Sequence, residues 1–108
     1  MRTVKKWLVP PEDLFDLAMP SGAVLLDAQP QGADNVALWA LVDTAAPMLP
    51  RRFLLTATGH EIATTAELVH VASFQSKGRP VLEFHLFEAK GAVVGLVKGG
   101  PRLDGKPR

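Results

Sequence analysis

A chain of 108 residues can enclose one hydrophobic core but not two, so a single domain is expected. At 47% hydrophobic and 21% charged residues it is too apolar for a disordered segment, and its lack of cysteine removes disulfides, thiolate metal sites and a cysteine nucleophile. The net charge of +1 divides unevenly: residues 1–88 hold seven Lys/Arg against ten Asp/Glu, whereas residues 89–108 hold five against Asp104 alone. Phosphate-binding domains carry their cations on the folded face, so an acidic body argues against nucleic acid as its partner.

Residues 3–9 alternate, with Val4, Lys6 and Leu8 on one side and Lys5, Trp7 and Val9 on the other, and the strand stops at Pro10-Pro11. The Trp7-Leu8-Val9 run behind Arg2, Lys5 and Lys6 is too short for a signal-peptide core, so no leader and a cytoplasmic location are expected. Nor does any run approach the roughly 18 apolar residues of a membrane span. Residues 12–19 fit either period. Phe15, Leu17 and Met19 alternate with Asp16 and Ala18, whereas Leu14, Leu17 and Ala18 suit a helix; strand is the reading adopted.

Residues 23–29 read as a strand with Val24, Leu26 and Ala28 on one face and Leu25, Asp27 and Gln29 on the other. A turn cluster at residues 31–35 leads into residues 35–43, NVALWALVD, where both faces are apolar. That pattern predicts a central strand covered on two sides. After a loop holding Pro47 and Pro50, residues 51–58 place Phe53, Leu55 and Ala57 together, opposite Arg52, Leu54, Thr56 and Thr58.

Gly59 breaks that strand, and residues 60–67 are a polar connection with room for one helical turn. Residues 68–75 and 80–88 form the clearest hairpin, with Lys77-Gly78 placed to supply a tight turn's positive φ. Beyond residue 88 the pattern dissolves into a basic, glycine- and proline-bearing flexible tail, with residues 92–97 as a short edge strand. About six to seven strands without a long helical period predict an all-β domain over residues 1–88. Its expected form is a small antiparallel sandwich or partly closed barrel.

The chemistry-bearing candidates are few. Thr58-Gly59-His60 closes a strand with a turn whose N–H groups can meet an anion, and Arg51-Arg52 opens the same strand. Eight extended residues separate these features by more than about 20 Å, so they cannot share one small site. His70 and His85 lie in the hairpin with Glu83 nearby, a set that could hold a metal if the register allowed, although no compact ligand spacing is present. Trp39 is a core anchor or, if exposed, the mark of an interaction face. Neither a nucleophile elbow nor a phosphate loop occurs, so no cofactor and no catalysis are expected.

Several landmarks form a set. They are Met19-Pro20-Ser21-Gly22-Ala23 followed by Leu25-Leu26, the Leu-Trp-Ala-Leu-Val-Asp run at residues 38–43, and Arg51-Arg52-Phe53. Further on stand Ala57-Thr58-Gly59-His60, Ala72-Ser73-Phe74-Gln75 and the Phe-His-Leu-Phe-Glu run at residues 84–88. Across residues 3–88 the chain resembles a family of small bacteriophage and prophage proteins, in which a Gly-Thr-Gly-His element stands where this chain has Ala57 first. The resemblance implies a phage or prophage origin and an intracellular small protein, and carries over no activity.

The expected function is a non-catalytic binding protein acting in the host bacterial cytoplasm on a host protein or small ligand, with counter-defence as a subclass and homo-oligomerisation expected. A virion or assembly accessory, and a metal-dependent enzyme using His70 and His85, are the alternatives.

Overall fold

The computed structural model describes residues 1–32 and 34–91. They form seven strands: β1 (Arg2–Val9), β2 (Leu14–Pro20), β3 (Val24–Gln31), β4 (Asn35–Asp43), β5 (Met48–Ala57), β6 (Glu67–Gln75) and β7 (Glu83–Lys90). Every pairing is antiparallel, and the strands divide into a three-stranded sheet, order β1-β4-β3, and a four-stranded sheet, order β2-β5-β7-β6. Both sheets are open, so the architecture is the sandwich rather than the barrel. The anticipated edge strand at residues 92–97 lies outside the described residues.

Period-2 alternation builds the core. Val36, Leu38, Ala40 and Val42 of β4 face Phe53 and Leu55 of β5 and Phe84 and Leu86 of β7, all buried. Burying an aromatic or leucine side chain of this size stabilises by roughly 2–3 kcal/mol, so these two inner rows carry most of the apolar driving force. The Phe15–Phe53 and Phe74–Phe84 rings stack at 5.7 and 6.2 Å across neighbouring strands. At one edge β3 packs beside β6. At the other, the Trp7 indole N–H donates to the Ala18 carbonyl at 3.1 Å, tying β1 to β2.

The ambiguity over residues 12–19 resolves as strand, running Leu14–Pro20 and leaving out Glu12 and Asp13, with Phe15 and Met19 buried while Asp16 points outward to Arg52. Residues 60–66 contain no helical turn. The β6–β7 connection also differs from the tight turn expected. It spans residues 76–82, closed by Ser76 N–H to the Leu82 carbonyl at 2.7 Å and Leu82 N–H to Ser76 Oγ at 2.9 Å, and Gly78 is not among the positive-φ glycines. The serine hydroxyl does the closing, so no left-handed residue is needed. Strand β7 runs through Ala89 and Lys90, two residues further than its apolar pattern indicates.

Two bulges break the alternation. In β3 the register shifts between Leu25 and Asp27, so Leu25 packs on the core while Val24 and Leu26 are exposed and Ala28 is buried. The expected Val24/Leu26/Ala28 face is therefore split. In β6 the register shifts between His70 and Ala72, and Val71 packs against the core.

One charged pair sits on the inner face. Glu88 follows Phe84 and Leu86 inward, and Arg51 precedes Phe53 and Leu55 on the same side. The guanidinium grips the carboxylate in a fork, Nε–Oε2 2.6 Å and Nη2–Oε1 2.7 Å, while Nη1 donates to the Ala23 carbonyl. Glu88 is buried, and Lys90 approaches it at 3.2 Å. The arginine hydrogen bonds, aided by Lys90 and opposed by burial, hold the Glu88 carboxyl below its ordinary value near 4.5. A depressed acid pKa contributes stability that is present above the unfolded value and lost as pH falls through the folded one. Glu88→Gln is expected to cost about 3 kcal/mol at pH 7, the low end for a buried pair deprived of one partner, since Arg51 is partly exposed. It should also flatten the stability loss of the natural chain below about pH 4.5. Urea midpoints at pH 7 and pH 3 test both; equal midpoints for the two proteins at pH 7 would refute the role.

Candidate functional site

The residues singled out in the sequence scatter over three places. Arg51 is committed to Glu88 inside the sandwich end. Its neighbour Arg52 points outward and forks onto Asp16, Nε–Oδ1 2.8 Å and Nη2–Oδ2 3.2 Å, at an exposed position. A charge pair with both partners in water contributes little to stability. Trp39 stands half-buried in the middle of the three-stranded sheet, on the side away from the core. Thr58, Gly59 and His60 follow the far end of β5, whereas Arg51 and Arg52 lie mid-strand, because β5 begins three residues earlier than expected, at Met48.

At that far end the outer face of the four-stranded sheet gathers a polar group. Thr56 of β5, His85 of β7 and Ser73 of β6 are register partners in one row. His85 Nδ1 lies 2.7 Å from Ser73 Oγ, and His85 Nε2 lies 2.6 Å from Thr58 Oγ1. Ser73 Oγ in turn lies 2.9 Å from His70 Nε2. Four side chains from three segments thus form one continuous hydrogen-bonded array, Thr58–His85–Ser73–His70. The row behind it is apolar: Leu14, Leu54 and Phe87 align with His70, whose ring meets Phe87 edge-on at 5.7 Å.

The β6 bulge makes the array possible. Residues three apart on a regular strand point to opposite faces. With the extra residue absorbed at Val71, His70 and Ser73 share the outer face, and Ser73 bridges the two imidazoles. Thr58 is held over His85 by its own N–H donating to the Glu83 carbonyl at 3.0 Å. The turn that follows is closed by His60 N–H to the Ala57 carbonyl at 3.2 Å, with Gly59 at φ 86°.

Donor and acceptor counting shows what the array can do. A neutral imidazole donates from one nitrogen and accepts at the other, and a hydroxyl donates once. Three consecutive bonds then run in one direction. Either Thr58 O–H donates toward His85 and the chain ends with the Ser73 proton on His70 Nε2, or every donor reverses. The first arrangement leaves His70 presenting Nδ1–H outward; the second leaves it presenting a lone pair. A protonated His85 donates at both ends and keeps all three contacts. The array therefore offers a partner either polarity, or accepts a proton, without losing a hydrogen bond.

Ser73 lies within nucleophile–base distance of both histidines. Both His85 ring nitrogens, however, are taken by hydroxyls, where a triad would set a carboxylate on the second. Backbone N–H groups on a sheet face lie in the ladder plane and do not converge on an oxyanion. Among the described residues no group of three or more His, Cys, Asp or Glu converges on a metal position, so Glu83 does not complete a set with His70 and His85. No helix among them is long and apolar enough to cross a membrane.

The sequence alone pairs His70 with His85, places Thr58 in a separate feature, and passes over Ser73 and Glu88. Ser73 was legible as the residue between inward Ala72 and inward Phe74. A bulge carries no comparable signal, because the residue it absorbs is an ordinary valine.

A family model described as a domain of unknown function (DUF7352) matches residues 1–94, which include all seven strands. No curated protein and no solved structure matches the chain.

At Gly59 a Cβ would meet nothing within 4 Å, so the constraint is the left-handed backbone alone. Gly59→Ala is expected to destabilise the domain by about 1 kcal/mol and to broaden the Thr58 and His85 NMR signals. An unchanged urea midpoint with unchanged spectra would show that the turn is not under this constraint.

Proposed function

The chain belongs to the domain-of-unknown-function family DUF7352, and from that premise we propose that it is a non-catalytic binding protein whose recognition surface is the outer face of β5, β6 and β7. The observation that carries this reading is the exposed, continuous Thr58–His85–Ser73–His70 array beside the Phe87 ring. Exposed polar side chains held by one another lose little conformational entropy when a partner docks. An aromatic wall beside adaptable donors and acceptors suits a small oxygen-rich ligand or a polar protein segment with a planar group. The resemblance to small phage and prophage proteins supports a partner inside a bacterial host cell.

Isotope-labelled protein titrated with inorganic phosphate, mononucleotides and cyclic dinucleotides, and then with host lysate, tests the proposal. Perturbations are expected to centre on Thr58, His70, Ser73, His85 and Phe87. His85→Ala and Ser73→Ala should each weaken the response at least about tenfold, the effect of losing a buried or charged hydrogen bond at an interface. Silence of these resonances toward every probe, or a response that survives both substitutions, would overturn it.

A further inference from the structure

The three-stranded sheet has one face on the core and one that no described element covers. Its outer face carries Val4 and Leu8 from β1, Trp39 and Leu41 from β4, and Val24 and Leu26 from β3, with Val4, Leu8, Val24 and Leu26 each about half exposed or more (53, 60, 54 and 49%). The strand expected to be covered on both sides is therefore central in its sheet but covered by the described residues on one side only. Single exposed leucines need no explanation, whereas six apolar residues across three adjacent strands form a contiguous patch of the kind interfaces use.

The charges on this face say what covers it. Trp39 is the register partner of Lys6 on one side and Asp27 on the other, so one row reads Lys6–Trp39–Asp27 from edge to edge. The next row reads Val4–Leu41–Val24, and the row on the other side reads Leu8–Ala37–Gln29. A two-fold axis lying in the interface along β4 exchanges the two edge strands. Trp39 then faces Trp39, Val4 faces Val24, and Lys6 of each copy faces Asp27 of the other. A two-fold axis perpendicular to the strands would instead set Lys6 on Lys6 and Asp27 on Asp27. Either axis lays the strands in the aligned orientation of packed sheets, so the charges choose between them.

Among the described residues neither charge has an oppositely charged partner. Lys6 reaches only Gln31 Oε1 at 3.3 Å, and the Asp27 side chain accepts from the Ala28 N–H and weakly from Gln29 at 3.3–3.4 Å. From this juxtaposition we propose that the protein forms an isologous homodimer through the outer face of β1, β4 and β3, with Trp39 at its centre and reciprocal Lys6–Asp27 pairs fixing its register. This face lies on the opposite sheet from the imidazole–hydroxyl array, so a dimer presents two copies of that array outward.

Sedimentation equilibrium of the full chain up to about 100 μM, where a modest interface is populated, should give a dimer. Lys6→Asp and Asp27→Lys should each weaken it at least about tenfold by placing like charges across the interface. The double variant should restore it, and mixing the two single variants should produce a heterodimer. Circular dichroism confirms that each variant is folded. A chain that stays monomeric, a dimer indifferent to these exchanges, or a dimer that appears only when residues 92–108 are removed would overturn the proposal. The last outcome would make the tail the occupant of this face.

Discussion

The inward-facing rows of β5 and β7 are the constraint on which the rest depends. Phe53, Leu55, Phe84 and Leu86 lie on the two central strands of the four-stranded sheet, and the opposing β4 supplies Val36, Leu38, Ala40 and Val42. Because both central strands are paired on each side, neither can slip by one residue without turning every one of these side chains into water. The same rows explain the Arg51–Glu88 pair. It occupies the next inward positions at the end of the rows, where apolar packing gives way to solvent. There a fork-shaped cation and a carboxylate satisfy each other, and Arg51 also satisfies the Ala23 carbonyl.

With the inner faces committed, the two outer faces take different chemical roles. The four-stranded sheet bears the imidazole–hydroxyl array, an assembly rich in reversible donors. The three-stranded sheet bears the apolar patch around Trp39. A bulge shapes each. In β6 it brings His70 onto the side of Ser73 and His85, and in β3 it leaves Leu26 exposed while returning Asp27 to the row of Trp39. Bulges of this kind re-aim side chains at the edges of sheets, and both of these strands are edge strands.

Much of the fold was legible because its signal is local. Trp7, Phe15, Met19, Leu38, Phe53, Phe84 and Leu86 each recur at period 2 within a run bounded by proline, glycine or polar turn residues, and each packs inward. The ion pair was half legible. Arg51 shares the parity of Phe53 and Glu88 that of Leu86, and two charges continuing apolar rows need one another. Pairing them required knowing that β5 lies beside β7 rather than next to β6, which sequence order alone does not say.

The sequence by itself determined the short strands, most of their inward residues and a sandwich or partly closed barrel to enclose them, because side-chain alternation and chain breakers act over a few residues. Only the tertiary structure decided that His70, Ser73, His85 and Thr58 meet, and that the described residues leave one face of β4 uncovered. Both facts rest on strand order and on single inserted residues in β3 and β6. Those are properties of pairing between distant segments, and no period within one segment records them.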